Sequence, residues 1–360
     1  MQPDRYYWAE KFDKLAAVHV ASARLIWVCP NMETRDTSSP FAAEDSPGLL
    51  KELVGDGRPL LALVALGLIL SGIFALFLSV TGSFLPHDVA FLGMQPRALC
   101  DLHECRIVHF IFHDRVSFGG TLIAIGTLYL WLLAFPLRLG EEWAWWTLLF
   151  SGVIGFLSFL AYLIYGYLDS WHAVASAGLL PLFIAGLWKA YGLLPTQRVG
   201  WRSLIRPAMP LQLGTRFGFG RACLLFVGLG MAVAGAVIIV LGSTVVFVPQ
   251  DITYLGFNAA ELNAINPHLV PLIAHDRAGF GGGLASCGLT VLLIVWKSRP
   301  SRALWQALLV SGLVGFGCAI GVHYPMNYVI VSHLAPAWAG AVIYMMGIVC
   351  LFRASHRTEF

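Results

Sequence analysis

Eight stretches of the chain run without a charged side chain: 59–81, 116–136, 143–168, 170–188, 222–246, 278–296, 303–323 and 330–352. Each has about 18 residues or more, enough to cross a hydrocarbon core of about 30 Å as a helix. In lipid a spanning segment must satisfy its own backbone amides, which a helix does and an open strand does not. The pattern predicts an all-α integral membrane protein with eight transmembrane helices.

The polar positions between these runs recur. His113-Asp114-Arg115 followed by Phe118-Gly119-Gly120 is answered by His275-Asp276-Arg277 followed by Phe280-Gly281-Gly282. Upstream, Phe84-x-Pro86-x-Asp88 is matched by Phe247-x-Pro249-x-Asp251, and downstream Ser151-Gly152-x-x-Gly155-Phe156 by Ser311-Gly312-x-x-Gly315-Phe316. Self-similarity at about 160 residues predicts two tandem four-helix repeats. An even number of spans per repeat gives both the same orientation, related by a pseudo-two-fold axis along the membrane normal. The expected organisation is a cytoplasmic N-terminal segment 1–57, a first membrane repeat 58–192, a basic linker 193–220, a second repeat 221–352 and a tail 353–360. Trp8, Phe12, Leu15, Ala16, Leu25 and Ile26 suggest an amphipathic helix, lying on the membrane surface or packed on the protein's own loops.

Composition agrees: 58% hydrophobic and 12% charged residues exclude an ordinary soluble domain. Charge sets the orientation. With segment 189–221 inside, twelve Lys and Arg fall on the cytoplasmic side and four on the other, so both termini are expected in the cytoplasm of a plasma- or inner-membrane protein. The net charge of +3 reflects this bias, and no nucleic-acid partner is expected. Cys100 and Cys105 share the first outer loop, where an oxidising compartment would permit a disulfide. Asn263 and Pro267 stand at the equivalent positions, so the shared scaffold does not require that bridge.

This topology puts nine of the eleven histidines on or near the outer face. No Asp, Glu, Lys or Arg lies near the middle of a span, which disfavours an ion-coupled carrier. In each His-Asp-Arg, the Asp is expected at a helix start near residue 114 or 276, accepting free amides at the positive end of the dipole. Arg115 and Arg277 could pair with Asp88 and Asp251, and the glycines would let helices approach closely. None of this accounts for the histidine. His172 and His333 open the fourth helix of each copy, so His113 with His172, and His275 with His333, are candidate ligand pairs for haem iron or another transition metal. His109, His113 and Glu104 form a further candidate, His109 and His113 being spaced for one helical face.

The leading expectation is a membrane redox protein that binds haem or a transition metal at its outer edge and exchanges electrons with a lipid-soluble quinone or a periplasmic partner. Asp88, Asp114, Arg115, Asp251, Asp276 and Arg277 would support its histidines. The alternatives are a non-enzymatic scaffold subunit among other membrane subunits, and a facilitator-type transporter with a polar entrance at Arg115 and Arg277.

Overall fold

The computed structural model describes residues 54–102, 104–158, 166, 167, 170–196 and 200–356. The expected N-terminal amphipathic helix lies outside these residues. The chain between them is all α: α1 (Arg58–Thr81), α2 (Pro86–Leu92), α3 (Pro96–Cys100), α4 (Arg106–Ala134), α5 (Glu142–Ser158), α6 (Ser170–Ala190), α7 (Arg216–Gly242), α8 (Pro249–Leu255), α9 (Ala259–Ile265), α10 (Leu269–Lys297), α11 (Arg302–Gly321) and α12 (Val331–His356). Among the described residues, α1, α4, α6, α7, α10, α11 and α12 are the seven helices long and apolar enough to cross a membrane. The remaining expected span, 143–168, is helical over Glu142–Ser158, and residues 159–165 are not described.

The helices that carry His-Asp-Arg form the core. α4 and α10 pack against each other and are far more buried than the other spans. α1 and α11 flank α4, while α7 and α5 flank α10. The second helix of each copy therefore lies against the third helix of the other. The two copies interlock, and this crossing decides which histidines meet.

Glycine makes the tightest crossings possible. A Cβ on Gly72 of α1 would lie 2.4 Å from the carbonyl oxygen of Gly119 on α4, and one on Gly235 of α7 would lie 2.5 Å from that of Gly281 on α10. In lipid, such close backbone approach supplies the dispersion contact that drives helices together. The Phe-Gly-Gly motif of each copy thus serves packing, as its sequence suggests.

Local chemistry shapes the short elements. Pro86 and Pro249 occupy the first helical position of α2 and α8, where a missing N–H costs nothing. Asp88 and Asp251 reach back to accept the N–H of Leu85 and Val248, at 3.1 and 2.8 Å. Both helices end at a glycine in the left-handed region, Gly93 (φ 66°) and Gly256 (φ 72°). At the opposite end of the bundle, buried Arg221 of α7 donates to the carbonyls of Met209, Val295 and Trp296 at 3.1–3.4 Å. It thereby covers the C-terminal carbonyls of α10 with positive charge. Cys100 and Cys105 are joined in a disulfide.

Gly235→Ala should destabilise the protein by about 1–3 kcal/mol, since the added methyl meets backbone that cannot move aside. Gly317→Ala, whose Cβ meets nothing within 4 Å, should leave stability unchanged or slightly raised. Thermal unfolding in detergent compares the two, and equal melting temperatures would refute the packing role.

Candidate functional site

α4 begins at Arg106 and α10 at Leu269, each about two turns before its His-Asp-Arg. Mostly apolar, buried residues fill those turns, among them Ile107, Val108, Phe110, Ile111 and Phe112, and Leu269, Leu272, Ile273 and Ala274. Asp114 and Asp276 are therefore helix-interior residues and not the caps expected from the sequence. Their carboxylates answer arginines instead.

Each guanidinium joins two carboxylates, one from its own copy and one from the other. Arg115 donates to Asp88 at 2.6 Å and to Asp276 at 2.8 Å. Arg277 donates to Asp251 at 2.5 Å and to Asp114 at 3.4 Å. The tyrosines at equivalent positions complete the pattern: Tyr167 donates to Asp88, and Tyr328 donates to Asp251 at 2.7 Å. Gly166 (φ 69°) and Asn327 (φ 57°) precede these tyrosines in left-handed turns. All four carboxylates are almost completely buried. An ionised group there persists only when paired and hydrogen-bonded.

The histidines also meet across copies. His275 of α10 contacts His172 of α6, with Nε2 of the former 2.9 Å from Nδ1 of the latter. His113 of α4 contacts His323, just beyond α11, and lies beside His333 of α12. The within-copy pairings His113–His172 and His275–His333 are replaced because α4 packs on α11 while α10 packs on α5. Glu104 is exposed and pairs with Arg106 at 3.1 Å, and His109 is half-buried. Neither belongs to the group of possible metal ligands found among the described residues.

That group is His113, His323 and His333, whose ligand atoms all lie within 4.8 Å of one another. The surrounding hydrogen bonds decide which nitrogens are offered. Asp114 Oδ1 accepts from His113 Nδ1 at 2.9 Å, so the lone pair of His113 is on Nε2, 3.0 Å from Nε2 of His323. Tyr328 gives its proton to Asp251 and so presents an oxygen to Nδ1 of His333, at 3.4 Å. Asp114, Arg277, Asp251 and Tyr328 thus link His113 to His333 through one chain of polar contacts. Two carboxylates and one guanidinium sum to a charge of −1 beside the three imidazoles, which favours a cation. Burial and the Asp251 charge hold the Tyr328 phenol above its ordinary range, so it remains a donor. The protein therefore contains a buried His/Asp/Arg cluster able to ligate a metal ion.

Both histidine groups open onto cavities. His113, His323 and His333 stand at one end of a space of about 500 Å³ whose other walls are nearly all apolar. His172, His275 and Arg115 border a smaller one of about 160 Å³. His323 is absent from the sequence-derived candidates. The first copy has no histidine between His113 and His172, so a search for residues shared by both copies passes over it.

If Arg115 bridges the copies, its effect and that of Asp276 should be coupled. Arg115→Met should cost about 3–5 kcal/mol by stranding two buried carboxylates. In a double-mutant cycle with Asp276→Asn, the pair should show a coupling energy of about 0.5–3 kcal/mol in thermal unfolding. Additive effects would deny the bridge.

Comparison with protein-family models, with curated proteins and with solved structures finds no match to this chain.

Proposed function

We propose that the protein is a multi-pass membrane redox protein that holds one transition-metal ion through Nε2 of His113, His323 and His333. The observation that carries this reading is the meeting of three imidazoles, two buried and one half-buried, with ligand atoms within 4.8 Å of one another at the end of a mostly apolar cavity. Bound to one ion at about 2.0–2.1 Å, imidazole nitrogens stand about 3.4 Å apart in tetrahedral geometry. The 3.0 Å separation of His113 and His323 lies within a few tenths of that value. Axial ligands of a haem stand about 4 Å apart with the macrocycle between them, so a single ion suits this pair better than haem. All-imidazole ligation suits copper, iron or zinc. Three protein ligands leave a coordination position facing the cavity, as catalytic metal sites do.

Asp114 and Tyr328 act as positioning residues, fixing the tautomer and orientation of His113 and His333. Arg277 and Asp251 hold those two in turn. The reading takes the eight spans as two copies of four, with both termini cytoplasmic and the centre toward the opposite face. The Lys and Arg distribution supports that orientation, as does the Cys100–Cys105 disulfide, which an oxidising compartment favours. The ion exchanges electrons with a lipid-soluble molecule admitted from the cavity.

Elemental analysis of the purified protein should find about one copper or iron per chain, since zinc is d10 and carries no electrons. His113→Ala, His323→Ala and His333→Ala should each abolish stoichiometric metal while the protein stays folded. Asp114→Asn should weaken metal affinity about 10–100-fold. A folded wild-type protein that takes up neither copper nor iron, or that holds only zinc, would end this reading.

A further inference from the structure

The cavity below the three histidines is elongated. Along α7 it is lined by Phe226, Gly230, Ala234, Ile238 and Leu241, a stripe recurring every three or four residues down one helical face. From Phe226 to Leu241, at 1.5 Å per residue, the stripe extends about 22 Å, most of the thickness of a hydrocarbon core. The charged and imidazole side chains are gathered at the Leu241 end, with His113, Asp251, Arg277 and His333. Phe226, at the other end, is 65% exposed, so the groove reaches the outer surface of the bundle.

The first copy shows how such a groove is closed. Gly67 stands five residues before Gly72, as Gly230 stands five before Gly235. A Cβ on Gly67 would lie 2.7 Å from the Leu179 side chain, whereas one on Gly230 would meet nothing within 4 Å. Leu179 is seven residues beyond His172, and the residue seven beyond His333 is Gly340. A leucine fills the space in one copy and its glycine counterpart leaves it open in the other. The long groove therefore accompanies the three-histidine group, and the two-histidine group has the short one.

We infer that this groove binds an isoprenoid quinone, its ring at the three-histidine end and its tail along α7 toward Phe226. The length and apolar lining call for one extended chain, and a space of about 500 Å³ leaves little room for a second. Without a bound ion, Asp114, Asp251 and Arg277 together carry a charge of −1, which disfavours a phosphate or carboxylate head, whereas a neutral carbonyl is tolerated with the ion or without it. As the electron partner of the metal centre, the quinone's role rests on the function proposed above. Its seating in the groove rests on the groove alone.

The test is equilibrium binding of tritiated decylubiquinone, and of its tail-less parent quinone, to the detergent-purified full-length protein. Wild type should bind decylubiquinone at about one per chain. Gly340→Leu should weaken that binding roughly 10-fold or more by filling the tail's place, with metal content and the weaker binding of the tail-less quinone unchanged. Gly230→Leu, which enters open space, should reproduce the effect should the leucine at 340 disturb Phe316. His323→Ala should lose metal yet keep tail-dependent binding, so the metal reading and the groove fail separately. No binding to wild type, unchanged affinity in both leucine variants, or recovery of phospholipid alone as the occupant would overturn the proposal.

Discussion

Everything at the histidine end depends on neutralising two guanidinium groups in a largely apolar interior. A charge there is tolerable only with a partner in contact, and each arginine has two. Had both partners come from the same copy, the halves would be free to separate. One comes from the opposite copy, so neutralising Arg115 and Arg277 requires α4 and α10 to lie side by side in a single register. The glycine crossings set how near their neighbours come, and the ion pairs set the alignment along the axis. Dispersion contacts alone are poor at choosing a register, because apolar side chains slide past one another at little cost.

The same framework supports two unlike sites. Both copies supply Asp, Arg, Tyr and a pair of facing histidines at equivalent positions. The group containing His113 gains a third imidazole and a groove running most of the way across the bundle, while the group containing His275 has a smaller cavity. Repetition preserves the scaffold, and the differences confined to one copy point to function. His323 and Gly340 are the clearest of these differences, one adding a ligand and the other removing an obstruction.

Much of this architecture was legible in the residues. Charge-free windows locate the long helices, and the Phe-Gly-Gly motifs anticipate the close crossings. The pairing of Arg115 with Asp88 and of Arg277 with Asp251 follows from their recurrence in both copies. The site was less legible, for two physical reasons. A helix start placed near residue 114 makes Asp114 a cap, but the residues from Ile107 to Phe112 are themselves helical and mostly buried, so the carboxylate faces side chains instead of free amides. Pairing within a copy is the simpler reading of two histidines on consecutive spans. Which spans touch depends on packing between copies, which hydropathy does not encode. His323 carried no repeated signal, since its importance comes from proximity to His113 across 210 positions of sequence.

The crossed arginine pairs also bear on how such a chain arose. A single unit contributes one arginine and two aspartates to the crossing, and brings only the first aspartate, Asp88 or Asp251, onto its own arginine. Two such units facing one another across a dyad would satisfy the second aspartate of each at once, so the crossed pairs are those that two separate copies of one unit would make. Joined in one chain, the halves need not be identical, and one pocket can be longer and richer in imidazole than its twin.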